Sequence, residues 1–181
     1  MTLCPNGVLS SVLVETLFQE GVRNVCIAPG SRSTPLVMAV ATHEGFQTHV
    51  YVDERALCFF ALGLVQANNQ PVAIITTSGT AVANLLPAVI EAYYFHAPLI
   101  LLTADRPKEK LGIGENQTII QEGLFQTYCA ATLYLSAPDS SFDAALFSEN
   151  LRSVLEKGSA LRAPVHINIP FREPLYVPTS L

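Results

Sequence analysis

Short apolar runs rich in Val, Ile and Leu alternate with longer segments of helical period along almost the whole chain. Residues 22–28, 47–52, 71–76, 98–103, 131–136 and 164–169 read as strands. Residues 8–20, 34–42, 53–68, 79–94 and 141–157 read as helices, the first stopped by Gly21 and the second carrying Pro35 in its first turn. Strands that are apolar on both faces and separated by helices specify an α/β fold. The pattern therefore predicts a mainly parallel six-stranded sheet with helices on both faces. One long polar connection, residues 105–123, interrupts the beat directly after a strand. Long connections of that kind tend to carry function.

Two of the helices lack a polar stripe. Residues 56–65 contain no polar side chain, and residues 81–90 contain only Asn84. A helix with one face on a sheet exposes the other, and that face is normally polar. The pattern therefore predicts that the helices following Glu54 and Gly79 pack against another subunit or domain.

Composition narrows the classes. The chain has 181 residues, enough for one domain with a full core. Half of its residues are apolar, 14% are charged, and the net charge is −5. That balance disfavours nucleic acid and anionic membrane as partners. No apolar run reaches the roughly 18 to 20 residues of a membrane helix, so membrane insertion is not expected. The first residues lack a basic segment and carry Glu15 and Glu20, unlike a secretory signal. Cys4, Cys26, Cys58 and Cys129 form no C-x-x-C pair and read as reduced thiols of a cytoplasmic protein. His43, His49, His96 and His166 are equally scattered, so no metal site built from this chain is expected.

The candidate chemistry sits where strands end. In a parallel sheet, the loops after successive strands project from one edge, and ligands bind there. Glu54 follows the strand 47–52 and opens an apolar helix, so dry surroundings are expected. A carboxyl group in such surroundings exchanges a proton with a bound heterocycle near neutral pH. An acidic pair in a first helical turn also suits the helix dipole, with no further role. Arg32 and Arg106 end two other strands, and paired guanidinium forks suit an anionic substrate. Arg106 could instead pair with Asp105 or Asp53. Ser31 and Ser33 could serve the same anion or cap the short helix. Thr77-Ser78-Gly79-Thr80 has the look of an anion cradle at a helix start, or of simple capping. Asn116 and Gln117 add neutral donors and acceptors on the long connection.

Taken together, these motifs resemble a known family. Ile27-Ala28-Pro29-Gly30-Ser31-Arg32-Ser33-Thr34-Pro35, Asp53-Glu54-Arg55-Ala56, Thr77-Ser78-Gly79-Thr80-Ala81-Val82-Ala83-Asn84, Leu102-Thr103-Ala104-Asp105-Arg106-Pro107 and Asn116-Gln117 occur in that order. Their order and spacing resemble the N-terminal domain of the 2-succinyl-5-enolpyruvyl-6-hydroxy-3-cyclohexene-1-carboxylate synthase family. Near the end of the chain, His166-Ile167-Asn168-Ile169-Pro170-Phe171-Arg172-Glu173-Pro174-Leu175 extends the likeness.

The resemblance implies a thiamine-diphosphate-dependent transferase of menaquinone biosynthesis. Such an enzyme decarboxylates 2-oxoglutarate and adds the succinyl unit to isochorismate. It implies catalytic roles for Glu54 and Gln117, with Glu54 on N1′ of the cofactor's aminopyrimidine. It implies cofactor contacts from Glu54, Ser31 and Gln117, and substrate contacts from Arg32, Arg106, Asn116 and Gln117. Residues 1–181 would then be the pyrimidine-binding domain. The central domain and the diphosphate-binding domain, which holds Mg²⁺ or Mn²⁺ through a Gly-Asp-Gly motif, are absent from the sequence. The chain stops after Tyr176-Val177-Pro178, as at a linker, which suggests a piece of a longer protein that is inactive alone. The family pattern further implies a homodimer or tetramer. Three rivals remain: a related thiamine-diphosphate carboligase or decarboxylase, in which the glutamate often follows a histidine, a stand-alone non-catalytic α/β binding or regulatory module, and a plain α/β domain whose strand-end motifs only cap helices.

Overall fold

The computed structural model describes residues 4–176, so Val177 and Pro178 of the expected linker lie outside the described residues. Its strands are β1 (Asn24–Ile27), β2 (Gln47–Val50), β3 (Val72–Thr76), β4 (Leu99–Asp105), β5 (Ala131–Tyr134) and β6 (Val165–Pro170). They form one sheet in the order β2-β1-β3-β4-β6-β5, and every neighbouring pair is parallel. The expected α/β architecture is therefore present, with all six strands in one direction.

Helices α1 (Pro5–Gln19), α2 (Thr34–Ala41) and α6 (Ala144–Leu161) cover one face of the sheet, and α3 (Glu54–Asn68), α4 (Thr80–Ala83) and α5 (Leu86–Tyr94) cover the other. Strand alternation divides the core between them. Ala73, Ile75, Ile100 and Leu102 join the layer under α1, α2 and α6. Val72, Ile74, Leu99 and Leu101 join the layer under α3 and α5. Each such Leu or Ile, taken wholly out of water, contributes about 1.5–3 kcal/mol.

Among the elements whose ends differ from the sequence reading, three have a clear local cause. The helix expected over 79–94 is broken: α4 stops at Ala83 and α5 starts at Leu86. Pro87 lies in the first turn of α5, where its missing N–H costs nothing; inside one continuous helix its ring would strike the carbonyl four residues back. Strand β4 runs two residues further than expected, because β6 pairs beside it as far as Asp105↔Pro170. Helix α6 starts at Ala144 and not 141, since Asp143 caps it by accepting from the amides of Ala145 and Leu146.

The strand order reverses between β1 and β3, since the chain passes from β1 outward to β2 and then returns to β3. Loops leaving the carboxyl ends of two strands at such a reversal diverge and leave a crevice. No helix among the described residues is long and apolar enough to cross a membrane.

Candidate active site

Contrary to that general rule, the loops after β1 and β3 touch near the start of each loop, leaving no crevice between Gly30 and Thr77. A Cβ on Gly30 would lie 2.3 Å from Cβ of Thr77, so only glycine allows the approach. The Arg32 amide donates to Oγ1 of Thr77 at 3.3 Å. On its far side, the β3 loop is clasped by the long connection. Gly79 has φ +83°, and a Cβ there would meet the Gln117 carbonyl oxygen at 2.7 Å. Ser78 Oγ donates to that same carbonyl at 3.0 Å, and the Gly79 amide donates to Oε1 of Gln121 at 2.9 Å. Thr77 Oγ1, Ser78 Oγ and the Gly79 amide are thus engaged by the protein itself.

Glu54 opens α3 behind Asp53, whose side chain caps the helix by accepting from the Ala56 amide at 2.8 Å. Asn84, at the end of α4, donates through Nδ2 to Oε2 of Glu54 at 3.0 Å. Oε1 accepts no hydrogen bond, and the carboxylate is in no ion pair, among the described residues. The dry surroundings expected for Glu54 are not supplied by the described residues. Glu54 is only half-buried, and its neighbours Val52, Ala56 and Phe59 are exposed. The apolar side chains that suggested a dry site point partly outward from α3, so any drying must come from a second surface.

Arg32 and Arg106 line one pocket of about 410 Å³, together with Pro107, Glu109, Lys110, Glu115, Arg172 and Glu173. Arg32 is 7% exposed. Its Nη1 donates to the Phe171 carbonyl at 2.9 Å, and its Nη2 lies 3.4 Å from Oε1 of Glu173. Arg106 pairs with neither Asp105 nor Asp53 through its guanidinium; Nη2 donates to the Asn116 carbonyl at 2.7 Å. Both Nε atoms are buried without a partner among the described residues. A buried, unpaired guanidinium N–H is costly to leave unmade.

The other expected site residues are not among those lining this pocket, although Asn116 touches Arg106 at its wall. Ser31 is exposed, and its carbonyl receives both the amide and the hydroxyl of Thr34. Ser33 Oγ donates to the Gly30 carbonyl at 3.0 Å and does not cap α2. Asn116 and Gln117 are exposed, and what they contribute to the loop contacts is backbone: the Asn116 carbonyl holds Arg106, and the Gln117 carbonyl holds Ser78. Gln117 adopts a left-handed φ of 56° to do so.

Sequence reasoning missed Gln121. It is buried, and its Nε2 donates to the Ala104 carbonyl at 3.2 Å and to Oδ1 of Asn168 at 2.7 Å. One amide thus joins the β3 loop, β4 and β6. Asn168 in turn accepts from Thr103 Oγ1 at 2.7 Å and donates to Oδ2 of Asp105 at 2.7 Å. Oδ1 of Asp105 accepts from the Arg106 amide at 2.7 Å. Since the Thr103 hydroxyl proton goes to Asn168, His166 Nε2, 2.7 Å away, is the donor to Thr103. Burial lowers the His166 pKa to about 3, so the ring is neutral. Burial raises that of Asp105, against hydrogen bonds from Asn168 and Arg106 that lower it. A lone glutamine in a polar loop carries no sequence signal that separates it from its neighbours Asn116 and Gln117.

The family profile described as "Thiamine pyrophosphate enzyme, N-terminal TPP binding domain" matches residues 8–128. The chain belongs to this family. Relatives named 2-succinyl-5-enolpyruvyl-6-hydroxy-3-cyclohexene-1-carboxylate synthase are close in sequence. That of Vibrio vulnificus is 49% identical over 174 residues, 94% of this chain and 31% of its own length. That of Shewanella baltica is 49% identical over 172 residues, 94% of this chain and 29% of its own. That of Vibrio cholerae serotype O1 is 47% identical over 171 residues, again 94% of this chain and 30% of its own. The chain therefore spans less than a third of the length of these relatives.

Two of the free thiols, Cys26 and Cys58, are not candidate nucleophiles. Cys26 and Cys58 are buried, and burial pushes the Cys26 thiol up to about 12 and Cys58 up as well. The described residues hold no cluster of His, Cys, Asp or Glu that could bind a metal ion.

Proposed function

We propose that this chain is the pyrimidine-binding, N-terminal domain of a thiamine-diphosphate-dependent transferase. The complete enzyme would decarboxylate 2-oxoglutarate and add the succinyl unit to isochorismate in menaquinone biosynthesis. The observation that carries the reading is the state of Glu54: a half-buried carboxylate fixed by Asn84 through one oxygen and open at the other, on the ligand-binding edge of the sheet. Its place in a chain nearly half identical to the named synthases adds support.

These residues fit the aminopyrimidine of thiamine diphosphate. A ring nitrogen needs one carboxyl oxygen, which Oε1 offers, and apolar walls, which exposed Val52 and Phe59 offer. When bound, the cofactor supplies a carbon nucleophile and an electron sink for decarboxylation. Glu54 holds the proton shared with the ring nitrogen, and Asn84 keeps the carboxylate oriented. Ser31 and Gln117 line the cofactor side, with Gln117 also serving catalysis. Arg32, Arg106, Asn116 and Gln117 receive the anionic substrates, and the unpaired Nε atoms of both arginines support that role.

The remaining parts of the enzyme follow from the same reading. A separate diphosphate-binding domain holds Mg²⁺ or Mn²⁺, and a central domain lies between. A second copy covers the α3 and α5 side, where Val52, Phe59, Tyr94 and Phe95 are exposed on a chain with few charges. The assembly is then a cytoplasmic homodimer or tetramer, and these 181 residues alone have no turnover. The test is an assay of the full-length protein with thiamine diphosphate, Mg²⁺, 2-oxoglutarate and isochorismate. Formation of the succinyl adduct supports the reading. A preference for pyruvate as donor, or no turnover with either acid, rejects it.

A further inference from the structure

The pocket that holds Arg32 and Arg106 contains seven charged side chains, and their pairing is uneven. Glu109 pairs with Arg172, Glu115 with Lys110 at 2.8 Å, and Glu173 with Arg32 at 3.4 Å. Arg106 is left with a peptide carbonyl as its only hydrogen-bond acceptor among the described residues. The two acceptors on Arg32 differ in kind. The Phe171 carbonyl is fixed, because its residue continues β6 and its own amide donates to the Asp105 carbonyl at 3.1 Å. The Glu173 side chain is 75% exposed and reaches Arg32 from outside the sheet through a long, weak contact. Arg32 itself is almost wholly buried and has an unpaired Nε besides.

We propose that Glu173 is a displaceable internal carboxylate. It neutralises Arg32 in the empty pocket and is exchanged for a carboxylate of the incoming substrate, so that Glu173 sets how strongly an acid must bind to enter. The inference rests on the proposed reading of this pocket as the substrate site. The physical argument is one of competition. A buried guanidinium without a counter-ion is unfavourable, so the empty site needs an anion. A mostly exposed carboxylate at 3.4 Å contributes little, so a ligand carboxylate that reaches the same fork displaces it at small cost. An acid with two carboxylates gains more, because Arg106 has no carboxylate to give up. The exchange forms and breaks no covalent bond.

The test is steady-state kinetics on the full-length protein, with KM for 2-oxoglutarate and for isochorismate measured in wild type, Glu173→Gln, Glu109→Gln and Arg106→Ala. Removing the competitor should lower KM for at least one acid by about two- to fivefold, the range of an exposed ion pair, with kcat unchanged. Glu109→Gln removes an equal charge from the same pocket but frees Arg172 and not the buried Arg32, and should lower that KM by clearly less than Glu173→Gln does. A Glu173→Gln enzyme with unchanged or raised KM overturns the proposal, as does an equal drop in Glu109→Gln, which would mean a diffuse charge effect. If Arg106→Ala also leaves both KM values unchanged, the substrate-site reading itself fails; if only Glu173→Gln is silent, only the exchange fails. Because Glu173 is mostly exposed, its replacement leaves the core intact, and unchanged far-ultraviolet circular dichroism checks this.

Discussion

Asn84 and Glu54 lie 30 positions apart in sequence, one capping the end of α4 and the other opening α3, yet they share a 3.0 Å hydrogen bond at the carboxyl edge of the sheet. The break between α4 and α5 makes this possible, because Asn84 caps α4 and is not carried on into the following helix. Asn84→Ala should therefore lower kcat of the full-length enzyme by about tenfold, the worth of one charge-assisted hydrogen bond. Steady-state rates check this, with Asn84→Asp losing more because it sets two carboxylates together.

Arg106→Ala should raise the KM of an anionic substrate by roughly 10- to 150-fold, since it removes a charge-assisted contact of about 1.5–3 kcal/mol. The amount of thiamine diphosphate needed for half-maximal rate should change by less than about twofold. Titrations of substrate and cofactor separate the two.

Gln121→Leu should destabilise the domain by about 2–4 kcal/mol in urea unfolding. It leaves the buried Gly79 amide without an acceptor and the Ala104 carbonyl without this donor. The same change frees the β3 loop from the long connection, so the susceptibility of residues 106–123 to protease should rise.

The buried ring of His166 makes stability depend on acid. Its folded pKa of about 3 lies below the ordinary 6.5, so the unfolded chain takes up the proton first. That contribution is fully present above about 6.5 and is lost as pH falls toward 3. Asp105, raised by burial, acts in the opposite sense and softens the loss at the acid end. The urea midpoint should fall steadily between pH 7 and pH 4.5. His166→Leu should flatten this slope while lowering stability at pH 7 by about 1–3 kcal/mol, because Thr103 loses its donor.

The sheet was readable in the sequence because each strand carries its own signal. Val72 to Ile75 and Leu99 to Leu102 are continuous apolar runs, buried on both faces. The break at Pro87 was readable too, but a run of apolar residues on either side masked it. Strand-end position pointed to Glu54, Arg32 and Arg106, since that position follows from topology. Their partners did not follow. Arg32 reaches a carbonyl 139 positions away and Gln121 an amide 42 positions away, and no local pattern encodes either contact. Dryness around Glu54 was inferred from apolar composition alone, whereas Phe59 turns outward. An apolar helix states that something covers it, not that its own chain does.

The most direct test is Glu54→Gln in the full-length protein, assayed for 2-oxoglutarate decarboxylation and for carboligation with thiamine diphosphate saturating. The amide cannot hold and return the proton at the cofactor's ring nitrogen, so both rates should drop at least about a hundredfold. Rates within a few-fold of wild type would contradict the assignment of Glu54 as the group that exchanges a proton with the cofactor.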